Sequence, residues 1–251
     1  MILATYNMFG GMKGNSLISN IAAHYYFYMK NSFKQIIKRA SSLDDVKSLI
    51  SLSNADIICI NEVIYDLQKE ELTAFLDMFG YKTIIINKSS NRKNYFNLCT
   101  ILASKFQGNK IEFDITKDNY ITREGSICAL EIPSKNILTL GVHLSLSKER
   151  RMKQLKEISE FIESKKDQKK DIFIMGDFNE TILKLQKYAE FKKMNLISCR
   201  VPTYPAIPIF EWLKRDYDHI FHTSNHKVDK IETKKGSSDH FLLKFELSPM
   251  N

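Results

Sequence analysis

The stretch from Asp171 to Glu180 reads Asp-Ile-Phe-Ile-Met-Gly-Asp-Phe-Asn-Glu. Ile172 to Met175 form a short apolar run bounded by charge and glycine, the pattern of a strand buried on both faces. Gly176 opens the backbone. Asp177 and Asn179 follow at i and i+2, where an extended chain points both side chains the same way. A buried strand that delivers a carboxylate and an amide to one spot suits hard-cation or phosphate chemistry. The same two residues also suit a turn, because Asp and Asn hydrogen-bond their own backbone. Other apolar runs are bordered in the same way: by Asn7, by Asn61 and Glu62, by Arg123, by His143, by Asp218, and by Asp239 with His240. His143 also reads as a satisfied core histidine, and Arg123 as a solvated loop residue, while His222 and His226 look like surface residues. Glu62, Asp177 and Asp239 are hard oxygen ligands, and with amide oxygens they suit Mg²⁺ or Mn²⁺ far better than zinc. Phosphodiester hydrolysis needs such a metal, a base to orient or deprotonate water, and positive donors for the extra negative charge.

These side chains have to be carried by regular elements. Strand patterns run over 2–6, 55–60, 81–86, 98–103, 110–115, 126–132, 137–144, 172–175, 217–222 and 242–247. Helical spacing links Phe33, Ile36, Ile37 and Ala40, and again Val46, Leu49 and Ile50 behind the capping pair Ser42 and Asp45. Further helices are expected over 67–79, along Met152, Leu155, Ile158 and Ile162, and over 182–193. The aromatic cluster His24 to Tyr28, inside segment 10–32, reads as a packed helix face, and 89–94 as a loop. So many strands exceed one doubly wound sheet. The pattern suits two sheets packed face to face with helices outside. No repeat, linker or low-complexity tail divides residues 1–251, so a single domain is expected.

Gly176-Asp-Phe-Asn179 resembles the most diagnostic motif of the endonuclease/exonuclease/phosphatase superfamily, the metal-dependent phosphoesterases that include DNase I. Five further stretches are similar to the family's motifs, in its order: Thr5-Tyr-Asn7; Asp56-Ile-Ile-Cys-Ile-Asn-Glu62-Val63; Thr122-Arg123; Leu140-Gly-Val-His143; and a compound stretch from Pro202-Thr-Tyr-Pro through Asp216-Tyr-Asp218 to Ser238-Asp239-His240. The resemblance implies an α/β (α+β) four-layer αββα sandwich with two mostly antiparallel sheets. It implies Mg²⁺, with Mn²⁺ as an alternative, held by Asn7, Glu62, Asp177 and Asp239. Asp177 with Asn179 would activate water. His143 and His240, the latter oriented by Asp218, would donate to the phosphoryl oxygens, and Asn7, Arg123 and Asn179 would contact substrate. Tyr6 and Asn61 depart from the family's usual Trp and Gln, and segment 10–32 has no match in the pattern.

The 37 basic and 29 acidic side chains leave a net charge of +8, which favours an anionic partner. Solvated lysine-rich helix faces explain the same charge. The leading expectation is a nuclease acting on DNA or RNA, with the basic stretches 88–93 and 148–156 along the phosphate backbone. A phosphatase or phosphodiesterase for a lipid head group or small phosphorylated molecule is the alternative, for which the apolar loop 207–212 is the candidate feature. An inactive binding protein is the third, opposed by a complete ligand set. The four cysteines show no Cys-x-x-Cys pair, which excludes a paired zinc motif and leaves buried free thiols. No run approaches the ~20 apolar residues of a membrane span. The absence of a leader pattern at the start and the free thiols together give a cytoplasmic expectation, with a monomer as default.

Overall fold

The computed structural model describes residues 1–8, 43–88, 97–113, 126–165, 170–205 and 213–250. The expectations for segment 10–32 with His24, for Phe33 to Ala40, for Ser42, for loops 89–94 and 207–212, and for Arg123 fall outside these residues.

Eleven described strands form two mixed sheets. The first orders β10 (His226–Lys235), β11 (Phe241–Pro249), β1 (Ile2–Asn7), β2 (Ile57–Ile64), β4 (Leu98–Ser104) and β3 (Thr83–Lys88). The second orders β5 (Asn109–Ile111), β6 (Ser126–Ile132), β7 (Ile137–His143), β8 (Asp171–Asp177) and β9 (Asp218–His222). Each sheet has one parallel pair, β1 with β2 and β7 with β8; all other pairs are antiparallel.

The layers follow from alternation inside apolar runs. On β8, Phe173 and Met175 face the other sheet, where Leu3, Ile57, Leu102 and Phe245 meet them. Ile172 and Ile174 face the opposite way, onto α3 (Lys148–Glu163), α4 (Ile182–Leu185) and α5 (Ala189–Lys193). On the first sheet, Ala4, Ile58, Ile60 and Ile101 pack against α1 (Asp44–Ser53) and α2 (Tyr65–Met78). The result is the expected helix–sheet–sheet–helix sandwich. A one-residue slip in any central strand would exchange its two faces, so burial on both sides fixes the register.

Sequence and structure differ in four places. β10 is missing from the sequence reading, because its burial alternates with four lysines and it lies at a sheet edge. The helix expected over 182–193 is two short helices. His222 and His226, which read as surface residues, are buried: His222 bonds the Thr223 carbonyl through Nδ1, and His226 packs edge-on against Phe173. Asp177 and Asn179 do not share one extended strand, since β8 ends at Asp177 and Asn179 has φ +50°.

Gly176 lies at φ +145°, and a Cβ there would sit 1.8 Å from the Val142 carbonyl oxygen. Any side chain would therefore push β8 away from β7. Gly80 also has positive φ, +83°, but has open space around it. Gly176→Ala is expected to cost more than about 4 kcal/mol, against about 1–2 kcal/mol for Gly80→Ala. Urea unfolding of the two variants checks this, and equal losses would remove the steric account.

Candidate active site

Strand parity gathers the polar residues at one end of the space between the sheets. Leu3 faces inward on β1, so Thr5 and Asn7 do too; Phe173 and Met175 do so on β8, so Asp177 follows. On β7 the outward set is Leu138, Leu140 and Val142, which leaves His143 pointing in. Ile220 faces inward on β9, and so does Asp218. The register completes the rung: His143 pairs with Asp177, and Asp177 with Asp218.

Glu62 needs a device of its own. Simple alternation along Ile58 and Ile60 would turn it toward the helices. The pairing of β2 with β4 slips between Ile60 and Val63, and Glu62 takes φ +57°. This bulge inserts one residue, sets Val63 back on the helix side, and leaves Asn61 and Glu62 both available to the interior. Left-handed φ at a glutamate carries strain of the kind stored at functional sites.

The side chains touch. Asn7 Nδ2 donates to Asp177 Oδ2 at 2.9 Å, and the Asn179 amide donates to Asp177 Oδ1 at 2.7 Å. Asn179 Nδ2 donates to the Leu144 carbonyl at 2.8 Å. His143 Nε2 stands 3.6 Å from Glu62 Oε1 and 4.0 Å from Asp177 Oδ2. His240 Nδ1 is 2.7 Å from Asp218 Oδ2, and its ring lies 4.8 Å from that of Tyr204. Asp239 is buried, with Ser238 Oγ donating to its Oδ1 at 3.3 Å. Thus Asn7, Glu62, His143, Asp177, Asp218 and His240 form one connected set. Asn179 flanks it, Asp239 adjoins it, and Arg123 lies outside the described residues.

The electrostatics favour a cation. Burial first, and then the Asp218 carboxylate, push the pKa of Asp177 upward, against the pull of His240, His143 and the Asn7 amide. Burial opposes a charge on His240, but Asp218, Asp239 and Asp177 outweigh it and raise its pKa to about 10. Asp177, Asp218 and His240 are all buried and offer ligand atoms within 4.8 Å of one another. Carboxylates crowded in a desolvated space are mutually destabilising, and a divalent metal relieves them, so the donor set fits one. A cavity of about 400 Å³ beside Asp56, Lys135, Asp171 and His226 contains none of these residues.

Two supports escaped the sequence reading. Asn61 Nδ2 donates to the Val142 carbonyl at 3.0 Å, and its Oδ1 accepts from Thr100 Oγ1 at 3.0 Å, which ties the two sheets beneath the site. Arg151 on α3 donates to the carbonyls of Ser145 (2.8 Å) and Leu146 (3.1 Å), and to Glu180 Oε2 (2.8 Å). It clamps together the loops that follow His143 and Asp177. The only sequence signal for this clamp was charge on an apolar-spaced helix, which normally marks a solvated face.

The endonuclease/exonuclease/phosphatase family model matches residues 4–240, and the chain belongs to that family of phosphoesterases. No curated protein sequence matches it. Among solved structures, an endonuclease/exonuclease/phosphatase from Beutenbergia cavernae DSM 12333 is similar, with TM-score 0.71 and 14% identity, over 99% of this chain and 71% of that one. ANGEL2, a 2',3'-cyclic phosphatase, gives 0.68 and 15% over 98% and 94%. The mannosyl-6-phosphatase Bt3783 of Bacteroides thetaiotaomicron VPI-5482 gives 0.62 and 16% over 99% of each chain. Among the described residues, no helix is long and apolar enough to cross a membrane.

Burial alone would raise the Glu180 pKa, but the Thr181 amide, Arg151 and Lys184 outweigh it and hold it below the ordinary value of 4.5. Such a carboxylate stabilises the fold above its unfolded pKa and loses that contribution as pH falls through the folded value. Arg151→Met is therefore expected to cost about 3–5 kcal/mol at neutral pH, and the gap to wild type should narrow below pH 4.5. Denaturant titrations at several pH values check this; a gap independent of pH would count against the ion pair as its source.

Proposed function

We propose that the chain is a Mg²⁺- or Mn²⁺-dependent phosphodiester hydrolase, a nuclease that cuts DNA or RNA by in-line attack of an activated water. The observation that carries the reading is the buried His240–Asp218 pair beside Asp177, within 4.8 Å of one another. The metal would be held by Asn7, Glu62, Asp177 and Asp239, and it would supply polarisation of the phosphoryl oxygen and stabilisation of the leaving group.

The chain's own residues carry the remaining tasks. Asn179 spends its amide nitrogen on Leu144, so its oxygen is the group it offers. With Asp177 it would orient and deprotonate water. Asp218 holds His240 through Nδ1, which leaves Nε2 to donate to a phosphoryl oxygen. His143, set between Glu62 and Asp177, would donate to a second. Arg123 would contact a substrate phosphate. The net charge of +8 supports a polyanionic substrate. The cysteines among the described residues are free thiols, which supports work in a reducing compartment.

A second reading, a phosphatase for a small phosphorylated molecule, is supported by two similar structures being phosphatases for other substrates. A panel of supercoiled plasmid, linear duplex, single-stranded DNA and RNA in Mg²⁺, Mn²⁺ and EDTA separates the two. Metal-dependent cleavage is expected. His240→Ala and Asp177→Ala should each lower kcat by roughly 10²–10⁴, and Asp218→Asn should follow His240→Ala. Failure to cut any polymer, together with turnover of a sugar phosphate, would overturn the nuclease reading in favour of the second.

A further inference from the structure

Three residues beyond Glu62, Tyr65 opens α2, its amide donating to the Asn97 carbonyl at 2.8 Å. Two ammonium groups converge on its ring: Lys88 Nζ lies 3.7 Å from the centroid and Lys69 Nζ 4.6 Å. Lys69 returns to the ring because it follows Tyr65 by four helical positions. Lys88 arrives from the end of β3, and all three residues are half-buried. Among the described residues, neither lysine makes an ion pair. The adjacent carboxylate, Asp66, is exposed and accepts instead from Asn97 Nδ2 at 3.1 Å. Each ammonium–ring contact is worth about 0.5–1 kcal/mol at a surface site. It cancels no charge, so among the described residues two cations remain together without a counterion.

Their position relative to the reaction centre is set by the sheet. Val63 of β2 and Lys88 of β3 both pair with Cys99 of β4. Lys88 therefore stands level with Val63, two strand spacings or about 10 Å away, and Val63 adjoins Glu62. The two lysines therefore reach the Tyr65 ring at the rim beside β2, where they are set apart from the carboxylates of Glu62 and Asp177 and suited to a different phosphate of the same strand. An anion seated beside the Tyr65 ring is the natural counterpart of two ammonium groups drawn to it, since lysine acts on phosphate as a point charge.

We infer that Lys69 and Lys88, both drawn to the Tyr65 ring, form a subsite for a second, non-scissile phosphate of a polynucleotide strand. The inference rests on the nuclease reading and names the part of the substrate that a phosphomonoester lacks.

The test uses a Lys69→Gln/Lys88→Gln protein. A Lys135→Gln/Lys227→Gln protein removes the same charge at the opposite end of the sandwich and serves as control. Binding of a fluorescent single-stranded oligonucleotide is measured by anisotropy in EDTA at several salt concentrations. Cleavage of that oligonucleotide and of bis-p-nitrophenyl phosphate, which has one phosphate, is measured in Mg²⁺. The Lys69/Lys88 variant is expected to bind about tenfold more weakly than the control, with a salt slope lower by about 0.7. Its kcat/KM should fall at least tenfold more on the oligonucleotide than on the diester. Tyr65→Leu should reproduce part of the loss.

Tight binding and cleavage by wild type, with no difference between the two lysine variants, would overturn the subsite and leave the nuclease reading intact. Equal losses on both substrates would also overturn it. Wild-type turnover of the diester with neither binding nor cleavage of the oligonucleotide would overturn the nuclease reading, and the polynucleotide subsite with it.

Discussion

Everything at the site depends on one rung of the second sheet, where His143, Asp177 and Asp218 stand side by side on β7, β8 and β9. The rung exists because β7 and β8 run parallel and approach closely enough that only glycine fits at 176, against the Val142 carbonyl. That carbonyl accepts the Asn61 amide from the opposite sheet. Asn7 reaches across in the same direction to Asp177. The two sheets are thus held together at the active end by side-chain hydrogen bonds, where farther along the sandwich apolar packing does the same work.

Placing several carboxylates in that desolvated space is costly, and the fold meets the cost in different ways. Asp218 has its charge balanced by His240, which the surrounding carboxylates keep protonated. Asp177 accepts from Asn7 and from the Asn179 amide, yet burial and Asp218 still push its pKa up. Paired hydrogen bonds therefore fall short of full compensation, and a bound dication is the natural counterpart. Farther out, Arg151 and Glu180 pair with each other rather than with the clustered carboxylates and histidines. Their charges cancel while they fix both loops that leave the rung.

Much of this was legible in the sequence, because buried strands advertise themselves. The apolar runs, and the polar residues ending them, gave the strands that carry Asn7, Glu62, His143, Asp177 and Asp218. The failures have physical causes. β10 is a lysine-studded edge strand whose solvated face hides its alternation. Glu62 faces the site only through a left-handed bulge, which leaves no mark in residue type. His222 and His226 are buried although they flank a turn, since burial there comes from the neighbouring sheet and not from local sequence. Asn179 satisfied both sequence readings in part: it takes the turn conformation and still lies beside Asp177.

The division between rung and rim also explains why family membership leaves substrate open. Structures of 14–16% identity share the sandwich, and two of them are a 2',3'-cyclic phosphatase and a mannosyl-6-phosphatase. A constellation built from strand parity and register has its geometry fixed by the fold, because shifting the register of one strand would exchange the faces of that core strand. Residues at the rim are under no such constraint. Tyr65, Lys69 and Lys88 sit where a helix start and a strand end meet, positions that can change without disturbing either sheet. On the proposed reading, substrate choice can therefore vary at those positions while the arrangement around Asp177 and His240 keeps its geometry.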